Sequence, residues 1–381
     1  MNIAMLLIGL KMLVGDRFKF AALVFTIASC AFLISQQVAI FTGLMVRTTS
    51  QIRDVGGAVW AMDPSVRYID ELRPIADEQV HRVRSVPGVG AAFGVSKSFT
   101  RATVAGQFRQ AVLLGVDDHT LFGAPGWMVV GDAAALREPD GIIIDDRGFA
   151  ALFPGQPLRV GDEIELSDRR AKIVGICRVS PPFATFPVIY AKISDARRFV
   201  GRERNFINFV VANPDEGVSA DELSERIAER TGLKAMPASA FAWRTVLFYI
   251  ANTGIPVNFG ITICVAVIVG VVITGQTFLV FVFENIKVFA GLKAMGTTQR
   301  TLSAMIVLQA LTVGVLGLGI GLGACAVFFD ATAEIPHLRN FRLYPQILAG
   351  TSAVMLTISV LASIAALVRV GKVEPATVFR A

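Results

Sequence analysis

The sequence contains few residues whose types and spacing could carry out chemistry. The stretch "GVGAAFG" (Gly88–Gly94) resembles a glycine-rich phosphate-binding loop, but it lacks the Gly-Lys-Ser/Thr ending, and its glycine spacing misses the dinucleotide-binding fingerprint. A turn between a helix and a strand is the better interpretation. The acidic pairs Asp117–Asp118 and Asp145–Asp146 could be carboxylate dyads or metal ligands, yet a run of like charge in a turn is usually solvated.

The histidines and cysteines add no further candidate for catalysis. His81, His119 and His337 are scattered without the spacing of metal ligands. Cys177 is the only cysteine between the first and second long apolar runs, and its setting "KIVGICRV" predicts core packing without a disulfide. We therefore predict no catalytic, cofactor or metal site in this chain.

The composition is that of a membrane protein. The chain is 54% hydrophobic and 17% charged, against roughly 25% charged in soluble domains. A helix needs about 20 apolar residues to cross a bilayer. Runs that long, without any Asp, Glu, Lys, Arg or His, predict four transmembrane helices at 20–46, 256–283, 302–329 and 346–368. The first apolar run is too long for the core of a cleaved signal peptide.

The distribution of charge predicts how the chain is oriented. The formal net charge is +6, and residues 47–244 carry as many basic as acidic side chains. The basic excess lies before the first run, between the second and third, and after the fourth. By the positive-inside rule, both termini and the loop at 284–300 are cytoplasmic, while 47–245 and the short loop at 330–345 are outside. Nucleic-acid or acidic-lipid binding is the less favoured explanation, because the charge follows the topology.

The region between the first two runs predicts an α+β domain. The order strand, helix, strand occurs in "AVWAMDPSVRYI", "DEQVHRVRSV" and "PGVGAAFGVS" and is repeated near the end of the region. There Ser219 is a candidate helix cap, with Glu222 three residues later. Residues from about 99 to 200 are rich in short strands and turns. We predict two β-α-β lobes with a mostly-β insert.

The polar residues within the apolar runs indicate which energy source the protein could use. The runs carry no ionisable residue, so coupling to a proton or sodium gradient is not expected. Small residues four positions apart allow helix backbones to approach closely, within the chain or across a dimer interface. The candidates for such packing are Gly270, Thr274, Gly317, Gly319, Gly321 and Gly323.

The remaining segments complete the predicted organisation. Residues 1–19 are too short to span the membrane and predict an interfacial helix on the cytoplasmic face. A stalk leads into the second span over 246–283, and the third span occupies 301–329. In the 284–300 loop, Gly296 suits a helix end, and Thr297 or Thr298 can cap the next helix. A cytoplasmic tail occupies 369–381.

Several motifs resemble a known family. The loop "ENIKVFAGLKAMGTTQRTL" and the ending "VEPATVFRA", in this order of spans, resemble the permease subunits of the MacB/FtsX superfamily of ABC transporters, the type VII architecture. The stretches "WAMDPSVRYIDELRPIADEQVHRVRSVPGV" and "NTGIPVNFG" are most similar to its DevC-type branch. Unlike MacB itself, this sequence contains no fused ATPase domain.

The resemblance implies a bacterial inner-membrane complex in which two permeases, a homodimer, pair with two cytoplasmic ABC ATPase subunits that hold the ATP and Mg²⁺. ATP-driven closure would move the outer domain, a process called mechanotransmission, and a periplasmic adaptor (membrane fusion protein) and an outer-membrane exit duct would complete an export path. The residues expected to couple to the ATPase are Glu284, Lys287, Phe289, Leu292, Lys293, Met295 and Gly296. The alternatives are a lipoprotein-extracting or FtsX-like regulatory permease, and a membrane-anchored scaffold without transport.

Overall fold

The computed structural model describes residues 3–201, 206–333, 335, 338 and 341–371. His337 and the ending "VEPATVFRA", with the rest of the predicted tail beyond Gly371, lie outside the described residues. The chain divides into a membrane unit, residues 1–43 with 254–381, and an outer unit, residues 44–253.

Helices make up the membrane unit and flank the strands of the outer unit. In chain order they are α1 Ile3–Gly15, α2 Arg17–Thr48, α3 Ser50–Val55, α4 Glu78–Arg84, α5 Asp146–Leu152, α6 Ile193–Phe199, α7 Ala220–Thr231, α8 Ala238–Asn252, α9 Ile255–Glu284, α10 Ile286–Ala294, α11 Gln299–Ala331 and α12 Pro345–Gly371. The strands are β1 Val59–Met62, β2 Ile75–Ala76, β3 Val89–Val104, β4 Gln107–Val116, β5 Met128–Gly131, β6 Gly141–Asp145, β7 Glu163–Leu166, β8 Arg169–Cys177, β9 Val188–Lys192, β10 Phe206–Ile207, β11 Phe209–Pro214 and β12 Lys234–Pro237.

Four helices of the membrane unit, α2, α9, α11 and α12, are long and apolar enough to cross a bilayer. They coincide with the four predicted spans. A helix of 30 residues, the length of α9, extends roughly 45 Å at 1.5 Å per residue, more than the ~30 Å hydrocarbon core. Their facing sides form one buried cluster that includes Ile27, Phe278, Met305 and Ile358.

The two glycine pairs of α11 have different environments. Gly317 and Gly321 lie against α2, where a Cβ on Gly321 would come within 2.4 Å of the Ala28 carbonyl oxygen. Among the described residues, no atom lies within 4 Å of such a Cβ on Gly319 or Gly323. Helix positions two residues apart point to different sides, so only the first pair brings backbones together within the chain.

The other two packing candidates lie inside the membrane unit. A Cβ on Gly270 of α9 would lie 3.0 Å from the Cys30 Sγ of α2. Thr274, one turn further along α9, is fully buried. These residues therefore pack helices of the same chain.

The outer unit is built on a ten-stranded sheet in the order β12-β1-β11-β3-β4-β9-β6-β8-β5, with β7 pairing β3 and β8. The units β1-α4-β3 and β11-α7-β12 are the two predicted β-α-β repeats. They interleave in one sheet, because β11 lies between β1 and β3 and pairs antiparallel with both. Val83 of α4 and Leu223 of α7 share one buried cluster with β1 and β11.

The predicted insert continues the same sheet. Strand β3 runs through the β-α-β part into the insert and turns into β4 at Ala105 and Gly106, both with positive φ. A two-residue turn with positive φ at both positions matches the twist of a hairpin. The insert is mixed, because β4 pairs parallel with β9 and β6 pairs parallel with β8. Cys177 is fully buried there, as its apolar setting predicted.

Candidate functional site

The candidate site is the coupling segment, residues 284–300, which joins α9 to α11. Helix α9 ends at Glu284, and the Asn285 side-chain amide donates to the Phe281 carbonyl oxygen at 2.9 Å. Helix α10 begins at the next residue, Ile286. The chain thus changes direction at Asn285 with one carbonyl of the preceding helix satisfied.

Helix α10 ends in a Schellman motif centred on Gly296. This glycine has φ +91°, a left-handed conformation that costs other residues more than glycine. Its N–H donates to the Lys293 carbonyl and the Thr297 N–H donates to the Leu292 carbonyl, both at 3.1 Å. The predicted helix end at Gly296 is confirmed.

Helix α11 starts immediately after this motif. Of the two predicted caps, Thr298 is the one used, since its Oγ1 accepts from the Thr301 N–H at 3.4 Å and its backbone is extended. Only Gly296 and Thr297 separate the last residue of the α10 end, Met295, from this cap. Because both helix ends are closed by hydrogen bonds, the link has little slack.

The predicted contact face of α10 is divided between core and solvent. Phe289 is 1% exposed and Leu292 6% exposed, and both belong to the buried cluster of the membrane helices. Met295 is 74% exposed. Successive steps of three residues rotate by about 300° each, so Phe289 and Met295 lie about 120° apart around the helix. Phe289 and Leu292 therefore hold α10 on its own chain, and the exposed apolar contact is Met295.

The other predicted coupling residues surround this exposed position. Lys287 and Gly296 are exposed, and Lys293 is half-buried. Val288, which the sequence interpretation passed over, is 44% exposed. The segment offers a small apolar surface with lysines beside it.

Glu284 has a partner from the start of the chain. Its carboxylate pairs with the Lys19 ammonium group, which also lies 2.8 Å from the Asp16 carboxylate. Lys19 is near the beginning of α2, and Glu284 is the last residue of α9. The beginning of the first span and the end of the second therefore lie on the same side of the membrane.

Helix α1 packs against α11. The Gln309 side-chain amide of α11, fully buried, donates to the Gly9 carbonyl oxygen of α1 at 2.7 Å. Leu13 of α1 is 1% exposed, whereas Leu7 is 54% exposed. A glutamine within an apolar span needs a hydrogen-bond partner, and that was the available signal for this contact. The interfacial location of α1 stays a prediction.

A buried polar centre in the outer unit was not predicted. We call it the Lys97 centre: Lys97 of β3, Asp70, Gln51 of α3 and Tyr249 of α8. Lys97, 1% exposed, pairs with Asp70 and donates to the Gln51 side-chain oxygen. The Tyr249 hydroxyl donates to Asp70 Oδ2 at 2.6 Å.

The Lys97 centre connects the helices that flank the first two spans. Helix α3 follows α2 along the chain, and α8 precedes α9. Burial lowers the pKa of Lys97, and the neighbouring Asp70 opposes that change. Burial, followed by Asp70, raises the pKa of Tyr249. A lysine in the middle of a buried strand was the available sequence signal.

The acidic pairs have structural roles, and the expectation of simple solvation is wrong for one of them. Asp145 is 2% exposed and its Oδ1 accepts from the Val188 N–H at 2.8 Å and the Gly148 N–H at 3.2 Å, capping α5. Burial raises the pKa of Asp145 to about 6. Asp146 accepts from the Arg178 side chain at 3.2 Å.

The other pair binds nearby backbone groups. Asp117 Oδ2 accepts from the Thr120 N–H at 2.9 Å, and Asp118 Oδ1 accepts from the Ser194 N–H at 3.1 Å. Within the described part of the chain, no three His, Cys, Asp or Glu side chains are placed to hold a metal ion.

Comparison with known proteins identifies two family models along the chain. The MacB-like periplasmic core domain matches residues 20–230, and the FtsX-like permease C-terminal domain matches residues 260–375. Uncharacterized ABC transporter permeases of Mycobacterium tuberculosis and Mycobacterium bovis are each 24% identical over 316 residues, which is 80% of this chain and 79% of the relative.

Two solved extracytoplasmic domains are similar to the outer part of the chain. The extracellular domain of the noncanonic ABC-type transporter YknZ from Gram-positive bacteria is 14% identical, with a TM-score of 0.35, over 48% of this chain and 98% of that one. The periplasmic region of MacB from Actinobacillus actinomycetemcomitans is 12% identical, with a TM-score of 0.37, over 52% of this chain and 94% of that one. The core-domain model covers more than half of the sequence. The chain belongs to the MacB/FtsX family of ABC transporter permeases.

Proposed function

We propose that this permease couples ATP hydrolysis by a separate cytoplasmic ATPase subunit to movement of its outer unit, and that this movement drives export. The observation that carries the proposal is the geometry of the coupling segment. A short helix held on its own chain by Phe289 and Leu292 presents Met295 to solvent and continues into α11 after two linking residues. A push on such a helix is transmitted to the span because the link cannot absorb it.

The proposed ATPase contact is the exposed side of the segment. Met295 and Val288 supply apolar area, and Lys287 and Lys293 supply positive charge beside it. Exposed apolar side chains rimmed by charge are typical of protein contacts. In this proposal Phe289 and Leu292 do not contact the ATPase. They fix the orientation of α10 by packing into the core of the membrane unit.

The Lys97 centre supports the part of the proposal that concerns movement of the outer unit. Motion of the spans must reach the sheet through the helices next to them along the chain, α3 and α8. Both helices place a side chain, Gln51 and Tyr249, on one buried ion pair whose lysine belongs to β3. Hydrogen bonds to a buried ion pair are strong because the surroundings exclude water, and they hold the two helices close to β3, which suits transmission of movement.

The assembly we propose contains a permease homodimer, two ATPase subunits, a periplasmic adaptor and an outer-membrane exit duct in the bacterial inner membrane. Gly319 and Gly323, open on α11, are the candidates for the dimer contact. A lipoprotein-extracting or regulatory permease would use the same coupling segment, and a scaffold without transport would not need it.

The deciding experiment is purification of the detergent-solubilised protein together with the ABC ATPase. We expect the ATPase to co-purify with wild-type protein, and Met295→Asp to lose it because a charge replaces the central apolar contact. Met295→Leu, the matched control, keeps the apolar surface and should retain the ATPase.

Equal ATPase recovery with Met295→Asp and Met295→Leu would show that this surface is not the contact. Absence of any ATPase from the wild-type preparation would favour the scaffold alternative.

A further inference from the structure

The outer unit contains a cavity of about 660 Å³ beside the centre of its sheet. One wall is strand β3, at Ser96 and Ser98. The opposite side is formed by the end of α6 with Val200 and by β10 with Asn208. The cavity is separate from the coupling segment and from the buried Lys97 side chain, because Lys97 lies between the two serines on β3 and points to the other face of the strand.

Polar side chains that can donate hydrogen bonds line one side of this cavity. Ser96 and Ser98 are each 9% exposed, and both line the cavity. The Asn208 side-chain oxygen accepts from the Lys97 backbone N–H at 2.8 Å, which leaves the amide nitrogen as its donor. Three side chains that can donate hydrogen bonds therefore converge on one cavity.

Among the described residues that line the cavity, the one charged side chain has a counter-ion. Arg197 of α6 lines it and lies 3.3 Å from the Asp77 carboxylate, with its side chain 20% exposed. A ligand there would be recognised chiefly by hydrogen bonds to acceptor oxygens, with the guanidinium group favouring a partial negative charge.

The rest of the wall is apolar. Leu72, Val200, Phe206 and Ile207 line it, and Phe206 is 40% exposed. A cleft of several hundred Å³ with apolar walls and a few convergent polar groups is the usual form of a small-molecule site.

We propose that this cavity binds a small amphipathic molecule whose polar end carries carbonyl or carboxylate oxygens. The oxygens accept hydrogen bonds from Ser96, Ser98 and Asn208, and the apolar body packs against Phe206, Ile207 and Val200. The site does not depend on the ATPase contact, so it can be tested whether or not the coupling proposal holds.

The test is equilibrium binding of N-dansyl-leucine to the full-length protein in lipid nanodiscs, with empty nanodiscs subtracted. This probe joins a carboxylate and sulfonamide oxygens to an apolar body. We expect saturable binding to wild-type protein and about tenfold weaker binding to the Ser96→Ala/Ser98→Ala variant, since two hydrogen bonds of somewhat under 1 kcal/mol each are lost. Ser98→Leu, which removes one donor and places an apolar side chain among the polar groups, should weaken binding further.

Thr103→Ala is the matched control, because Thr103 lies on the same strand beyond the cavity and should leave the affinity unchanged. If Ser98→Leu fails to fold, as judged by tryptophan emission, the serine-to-alanine variant decides. Absence of saturable binding to wild-type protein, or equal affinity in wild-type and the double alanine variant, would overturn the proposal.

Discussion

At the scale of single residues, a few buried polar groups join distant parts of the outer unit. Lys97 and Asp145 are 1% and 2% exposed, and each has partners from distant parts of the chain. Removing one partner from a buried pair costs more than the pair itself contributes, because the remaining charge stays desolvated. These residues therefore give sharp tests of the outer unit.

We expect Lys97→Met to destabilise the outer unit by about 2–4 kcal/mol, because Asp70 would lose its cation while remaining largely buried. The double variant Lys97→Met/Asp70→Asn should recover part of this loss, since asparagine is neutral and its oxygen can still accept from Tyr249. Denaturant unfolding followed by tryptophan emission measures the effect, because Trp60, Trp127 and Trp243 all lie in the outer unit. A double variant as unstable as the sum of both single variants would contradict this account.

We expect the stability of the outer unit to depend on pH through Asp145. Its pKa in the folded protein, about 6, is raised above the ordinary value of 3.8 by burial. Its contribution to stability is therefore fully present below about pH 4 and is lost as the pH rises through 6. Asp145→Asn keeps an oxygen for the Gly148 and Val188 N–H groups, so its stability relative to wild type should improve between pH 5 and pH 7. Thermal unfolding of both proteins at pH 5 and pH 7 measures this. The same difference in melting temperature between variant and wild type at both pH values would contradict the prediction.

At the scale of elements, long uniform patterns were predictable and local contacts were not. The four spans follow from apolar runs longer than a bilayer requires, and Ser219 caps α7 as its position predicted. The direction in which α10 faces did not follow from its sequence. Apolar residues cover most of its circumference, so the pattern could not distinguish a core-facing Phe289 from an exposed Met295.

The two glycine pairs of α11 provide a matched test of helix packing. Gly321→Val should destabilise the membrane unit by about 1–3 kcal/mol, since its Cβ would approach the Ala28 carbonyl oxygen. Gly323→Val has open space and should leave the single chain intact. Thermal unfolding of the solubilised protein compares them.

Equal loss of stability in both glycine variants would contradict this arrangement. A Gly323→Val protein that is stable but changed in oligomeric state would place this face in the proposed dimer contact.

At the scale of the whole molecule, the orientation in the membrane depends on where the charges lie. The ion pair of Lys19 with Glu284 places the start of α2 and the end of α9 on one side, and the basic excess predicts that this side is cytoplasmic. The outer unit would then face the periplasm. Contact with an ATPase and contact with an adaptor require opposite sides of the membrane, so both proposals depend on this orientation.

Single cysteines test the orientation in a variant that lacks Cys30, Cys177, Cys264 and Cys325. A membrane-impermeant maleimide should label Thr103→Cys in intact spheroplasts and Met295→Cys only after permeabilisation, because Thr103 is partly exposed and Met295 is 74% exposed, on opposite sides of the membrane. Labelling of Met295→Cys in intact spheroplasts would refute the proposed topology.

The sequence by itself determined the spans, the α+β outer unit and the helix end at Gly296, because these depend on short-range physics: hydrophobic length, residue periodicity and a backbone conformation suited to glycine. Only the tertiary structure decided which glycines of α11 pack inside the chain, and that Phe289 and Leu292 lie in the core. It alone revealed the Lys97 centre and the buried role of Asp145. Each of these depends on residues far apart in the chain, such as Gln51 with Lys97 or Asp145 with Val188. No local pattern records which distant side chain will fill a space or satisfy a buried charge.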